Sequence, residues 1–409
     1  MRIKKQLEDL AAFGGVPAFE EKLHVGRPNI GNADVVLGRI KQILEGRWLT
    51  NNGPMVQELE RKIAELLGVT HCIAMCNATV ALEILIRAIG LSGEVIIPSF
   101  TFIATAHALQ WQEITPVFCD IDPETHSINP DRIEELITPR TTGIIGVHLW
   151  GQACDVDKLT DIAKRRNLHL IFDAAHAFAC SHNGRMIGNY GEAEVFSFHA
   201  TKFFNTFEGG AVVTNDDDLA AKMRLMNNFG FQGYDNVIYI GTNGKMSEVS
   251  AAMGLTGLES LDEFATTNQR NYKRYEEKLS GIRGIRLFPY NNLNEANYQF
   301  IVLEVEEALT HISRDVLMEI LWAENVIARR YFYPGCHRME PYRSYFPHAG
   351  LLLPETEELS KRVLVLPTGT AICADDIDTI CAIIRLALTN STELTEQLNS
   401  CFREEIHSV

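Results

Sequence analysis

Two side chains carry the chemical argument. They are Lys202, in Ser197-Phe-His-Ala-Thr-Lys202-Phe-Phe-Asn-Thr-Phe-Glu208-Gly209-Gly210, and Asp173, in Leu168-His-Leu-Ile-Phe-Asp173-Ala-Ala-His176. Each stands at or just past the end of an apolar run that reads as a buried strand. A lysine amine so placed can condense with an aldehyde, and a carboxylate on a neighbouring strand end can keep a pyridine nitrogen protonated. Together they are what a pyridoxal 5'-phosphate enzyme requires. Taken alone, Lys202 reads equally as a solvated surface charge and Asp173 as a helix cap. The apolar, glycine-rich flanks of Lys202 predict a semi-buried turn, where desolvation lowers the amine pKa and makes it a nucleophile and proton carrier. Between the two, the chain has room for a hairpin turning at Ser181-His-Asn-Gly184 and one more strand. That spacing brings both residues onto neighbouring strand ends.

A phosphate needs a cradle. Asn77-Ala78-Thr79 follows a predicted strand and opens an amphipathic helix, so its amides and the Thr79 hydroxyl can form an anion site. Ser197 can add a second hydroxyl. Phe102 can lie over a pyridine ring, although an aromatic at such a place is more often core. His148, His176 and His199 fall near strand ends on separate elements and lack short ligand spacing, so no zinc site is expected. His176 is read instead as lying beside the cofactor, positioning Asp173 or the ring hydroxyl.

The elements that must position these groups follow from the pattern. Strands are expected at Cys72–Cys76, Glu94–Pro98, Pro116–Asp120, Thr142–His148, His169–Asp173, Glu194–His199 and Gly210–Thr214. Helical stretches lie between most of them, as at Thr101–Trp111 and Val156–Arg166. This alternation predicts an α/β fold with a mostly parallel sheet whose ligands bind beyond the carboxyl ends of the strands. A long polar helix from Leu261 marks a change. Strands at Gln299–Val305, Val326–Arg330 and Val363–Leu366 and helices at Arg314–Ala323 and Ile377–Leu388 then predict a smaller α+β domain. The expected division is 1–262 for the large domain with its N-terminal arm and 263–409 for the small one.

Composition bounds the partners. The chain has 409 residues, is 46% hydrophobic and carries a formal charge of −16. That balance is ordinary for a globular protein and argues against nucleic acid or an anionic membrane as main partner, because phosphate neutralisation needs a basic face. Met1-Arg-Ile-Lys-Lys lacks a following apolar core, so no signal peptide is expected, and no apolar run approaches spanning length. The nine cysteines are scattered, which predicts reduced thiols in a cytoplasmic protein.

These segments, in order along nearly the whole chain, resemble the DegT/DnrJ/StrS family of sugar-nucleotide aminotransferases, which have the fold-type I, aspartate-aminotransferase-like architecture. The likeness runs through Leu49-Thr-Asn-Asn-Gly53-Pro54, Asn77-Ala78-Thr79, Pro98-Ser-Phe-Thr-Phe102, Asp120-Ile-Asp122-Pro123, Val147-His148-Leu-Trp-Gly151-Gln152, Asp173-Ala-Ala-His176, the Lys202 segment and Gly241-Thr-Asn243-Gly-Lys245-Met246. The resemblance implies that Lys202 binds the cofactor aldehyde and Asp173 the pyridine nitrogen. It further implies that Ala78, Thr79 and Ser197 hold the phosphate, that Phe102 stacks on the ring, and that Asn243 comes from the second subunit of a homodimer with shared sites. Three positions depart from the family: His176 for a frequent glutamine, Phe207 for the first glycine of Gly-Glu-Gly-Gly, and Lys245 for a frequent arginine. Within the family, His-Ala-Thr-Lys202 and Arg329-Arg330-Tyr-Phe-Tyr-Pro334-Gly-Cys-His337 look most like the 4-aminotransferases of dTDP-4-dehydro-6-deoxyglucose. The implied reaction uses L-glutamate as donor and a dTDP-linked 4-keto-6-deoxy sugar as acceptor. A C-3 aminotransferase and a non-catalytic member of the fold are the alternatives. Lys202 counts against a sugar 3-dehydratase, which has histidine there, and no strand leads into the G-x-G-x-x-G of a nicotinamide enzyme.

Overall fold

A computed structural model describes residues 2–291 and 294–397. A short N-terminal strand, β1 (Leu23–His24), precedes the main sheet. The sheet comprises β2 (His71–Met75), β3 (Glu94–Pro98), β4 (Thr115–Cys119), β5 (Thr141–Val147), β6 (His169–Asp173), β7 (Glu194–Ser197) and β8 (Gly210–Thr214). Their spatial order is β2-β8-β7-β6-β5-β3-β4. Contacts between β3 and β4, β3 and β5, β5 and β6, and β6 and β7 are parallel, whereas β8 runs antiparallel to both β2 and β7. The strands are nearly all buried on both faces, which is why they read as continuous apolar runs rather than alternating ones.

Helices cover both faces. On one side, α1 (Ala78–Ile89) and α2 (Ile103–Gln110) pack Leu82, Leu85, Ile86 and Ala106 against Ile97, Ile145, Ile171 and Val195. Asn77 caps the start of α1 by accepting from the Val80 amide at 2.8 Å, and Gly90 ends it in the left-handed region. The opposite face is closed by the helices Pro54–Leu67 and Glu248–Leu258 over Cys72, Ala74, Phe196 and Ala211.

The long polar helix, α3 (Leu261–Leu279), leads to a three-stranded antiparallel sheet of β9 (Ile285–Leu287), β10 (Ile301–Val305) and β12 (Val363–Leu366). The expected division at residue 262 falls at the start of α3. Leu7, Leu10, Phe19 and Leu23 of the N-terminal arm share a core with Ile301, Leu303 and Leu364 of this second sheet. Parallel pairing of β1 with β11 (Val326–Ile327) fastens the arm there. The expected strand over Val326–Arg330 is therefore shorter than read. Beyond Ile327 only Arg329 pairs, with Val365.

Candidate active site

A cavity of about 420 Å³ opens beyond the carboxyl ends of β5, β6 and β7. It is lined by Ala78, Thr79, Phe102, Asp173, His176, Ser197 and Lys202. Seven of the eight site residues expected from sequence thus face one space. Asn243 does not line it. That residue is exposed on a loop whose backbone bridges to Asn228.

Asp173 closes β6 and is buried. Its Oδ2 accepts from the Thr105 hydroxyl at 2.8 Å and its Oδ1 from the Ala175 amide at 3.1 Å. The histidine at 176 makes no hydrogen bond to Asp173; Thr105, on α2, positions the carboxylate instead. No local pattern marks Thr105, because its role depends on α2 crossing the end of a strand far away in sequence. The expected hairpin between Asp173 and Ser197 is present, pairing Ser181–His182 with Arg185–Met186.

Lys202 sits on a turn held at both ends. Its amide donates to the His199 carbonyl at 2.9 Å, and the Thr206 amide returns to Phe198 at 2.9 Å. Phe203 and Phe204 anchor the turn in the core. Burial pushes the Lys202 amine down to about 8, a shift that nearby Asp173 partly opposes. Phe207, where the resemblance implies glycine, adopts φ +63°, the left-handed region that glycine enters without strain. Its ring lies half exposed, so the bulk is accommodated outside the cavity.

His176 packs against Phe300, Phe332 and Trp150, with ring centroids 4.2, 5.9 and 5.7 Å away. Burial and the neighbouring Lys202 hold its pKa well below the usual imidazole range, so the ring is neutral. Its buried Nδ1 has no hydrogen-bonding partner among the described residues. His148 and His199 also line the cavity, each bonded to a neighbour: the first accepts from the Cys154 amide at 3.2 Å, the second contacts the Thr201 hydroxyl at 2.8 Å. Among the described residues no group of three His, Cys, Asp or Glu could hold a metal.

The start of α1 meets the start of β8 closely. A Cβ on Gly210 would stand 2.6 Å from the Ala78 nitrogen and 2.8 Å from the Asn77 carbonyl carbon. Only glycine permits this approach. As the first residues of a helix, Ala78 and Thr79 have amides without intrahelical acceptors. The Ser197 hydroxyl has no partner among the described residues. Orphaned amides, free hydroxyls, a supported carboxylate and the unpartnered His176 nitrogen fit a phosphorylated, nitrogen-containing aromatic guest such as pyridoxal phosphate.

Comparison with known proteins agrees. Residues 33–385 match the DegT/DnrJ/EryC1/StrS aminotransferase family. The chain belongs to this family. It is an aminotransferase with the α/β, fold-type I architecture that the sequence implied. It is 39% identical to a dTDP-4-amino-4,6-dideoxy-D-glucose transaminase of Shigella dysenteriae, over 90% of this chain and 99% of that protein. It is 35% identical to a GDP-perosamine synthase of Caulobacter vibrioides, over 84% and 92%. The crystal structure of DesI in the presence of its TDP-sugar product superposes with a TM-score of 0.92 at 50% identity, covering 96% of this chain and all of that one. No described helix is long and apolar enough to cross a membrane.

Proposed function

We propose that this chain moves an amino group from L-glutamate to C-4 of a dTDP-linked 4-keto-6-deoxy sugar, with pyridoxal 5'-phosphate as cofactor. The observation that carries the reading is a lysine amine lowered to about 8 in one cavity with a supported carboxylate. The names of the Shigella relative and of the DesI structure support a TDP-linked acceptor. The GDP-perosamine synthase favours a second reading, a GDP-linked acceptor.

In this assignment the Ala78 and Thr79 amides and the Thr79 and Ser197 hydroxyls hold the phosphate. Asp173 would keep the pyridine nitrogen protonated, Phe102 would cover the ring, and His176 would lie beside it. Lys202 would hold the cofactor through its aldehyde, with loss of water, and would be freed when the donor amine displaces it. When bound, the cofactor supplies an electron sink for charge on carbon next to nitrogen. The Lys202 Nζ takes the proton from Cα of glutamate and later delivers one to C-4 of the sugar. An amine lowered to about 8 can do both near neutral pH. Asp173, oriented by Thr105 and Ala175, stays fixed throughout. His176, neutral and packed among aromatics, positions rather than transfers protons.

The same reading makes the enzyme a cytoplasmic homodimer of two-domain subunits, divided near residue 262. Asn243 of one subunit then completes the cavity of the other. The exposed side chains of Phe229, Tyr234, Ile238 and Ile240 near that loop suit a subunit interface. Lys245, in place of the family arginine, donates to Asn228 at 2.8 Å and stands over the Phe229 ring. Incubation with L-glutamate and a panel of dTDP- and GDP-linked ketosugars, followed by NMR of the product, tests the reaction. Nitrogen at C-4 supports it, whereas nitrogen at C-3 or no transfer rejects it.

A further inference from the structure

Two guanidinium groups line the cavity without a task in the scheme above, Arg27 and Arg329. Neither has a hydrogen-bonding or carboxylate partner among the described residues. The Arg329 guanidinium lies only over the Tyr331 ring, 5.5 Å from its centroid. The cavity thus presents two unpaired guanidinium groups, Arg27 and Arg329, beyond the lysine that the scheme above assigns to the cofactor. Unpaired guanidinium groups facing one space favour an incoming anion, and their planar donor forks suit phosphate.

The backbone brings the pair together. Parallel pairing of Leu23 with Val326 and His24 with Ile327 sends both chains out of the same end of the β1/β11 ribbon, with Arg27 and Arg329 just beyond it. The strap that carries Arg27 is tied to the lysine turn and to the second domain by hydrogen bonds. Asn29 donates from Nδ2 to the Phe203 carbonyl at 3.0 Å, next to Lys202, and its Oδ1 accepts from the Thr370 amide at 2.9 Å. Asn205 donates to the Asn29 carbonyl at 2.8 Å. Arg27 is thus held at a set position relative to the lysine turn.

We infer that Arg27 and Arg329 form a clamp for the diphosphate of the nucleotide-linked acceptor. The inference rests on the acceptor reading above. Arg329 is exposed and Arg27 half-buried, which puts the pair toward the mouth. In a sugar whose C-4 reaches Lys202, the diphosphate on C-1 stands across the pyranose ring, outward from the reacting carbon. The α-carboxylate of the donor, bonded to the reacting Cα, lies deeper.

The test is calorimetric titration of the holoenzyme with dTDP. Arg27→Gln and Arg329→Gln should each weaken dTDP binding about 10- to 100-fold, the scale of a charge-assisted bidentate contact. Arg27→Lys and Arg329→Lys should recover part of it, and melting curves should match the unaltered protein. The KM for the ketosugar should rise without a matching rise in that for glutamate. Unchanged dTDP affinity in both glutamine variants overturns the clamp. So does a loss falling on glutamate instead, which would make the pair a reader of the donor carboxylate. If the unaltered protein binds no nucleoside diphosphate at all, the acceptor reading itself falls, and the unaltered protein alone reveals that case.

Discussion

The carboxylate of Asp173 owes its orientation to one hydroxyl and one amide. Thr105→Val removes the hydroxyl and leaves Oδ2 without that donor inside a buried site. A hydrogen bond to a charged group is worth about 1.5–3 kcal/mol. Pyridoxal phosphate affinity, read from fluorescence quenching, should therefore fall about tenfold or more. Unchanged affinity would show that Thr105 contributes only packing. Lys202 gives a second, pH-dependent signature. Its pKa in the fold, about 8, lies below the ordinary 10.5. The unfolded chain thus binds more protons between these values, and the cofactor-free protein gains stability as pH rises through that window. Below it the buried ammonium costs up to about 3 kcal/mol. Lys202→Met should make the cofactor-free protein more stable near neutral pH and flatten its dependence up to about pH 10, as read by urea unfolding. Parallel curves for the two proteins would refute the burial argument.

At the scale of elements, the cradle depends on how closely β8 approaches α1. Gly210→Ala sets a methyl 2.6 Å from the Ala78 nitrogen, so strand or helix must shift. Cofactor absorbance should be lost or strongly reduced, with a lower melting temperature as the second readout; a coloured protein with unchanged melting would contradict the cradle. Such elements were legible in advance where the signal is local. Glu94–Pro98, His169–Asp173 and Gly210–Thr214 match their predicted bounds because buried runs end at charged or turn residues. The helix expected over Thr101–Trp111 forms only at Ile103–Gln110, since Phe102 is extended and acts as its first cap. What was not legible depends on distant pairing. Thr105 reaches Asp173, and Asn29 bridges Phe203 to Thr370. The β1/β11 ribbon is likewise too short to leave a periodic pattern. Phe207 stood out in the sequence as bulk in place of glycine, but only its backbone angle reveals how the turn tolerates it.

At the scale of the molecule, a sheet, a strap and a second sheet converge on one cavity, and the proposed partner subunit supplies the rest. If Asn243 of one subunit serves the other's cavity, Lys202→Ala and Asn243→Ala should each depress turnover. Dimers reassembled from a mixture of the two should regain activity above either alone, because some cavities then carry both intact residues. Failure to complement would assign each site to a single chain. Everything else in the account depends on where the cofactor aldehyde is bonded. Borohydride reduction of the pyridoxal phosphate-loaded protein, followed by peptide mass mapping, answers this directly. The account predicts the reduced cofactor on the peptide containing Lys202 and on no other lysine. A tag on a different residue, or no tag at all, would contradict it.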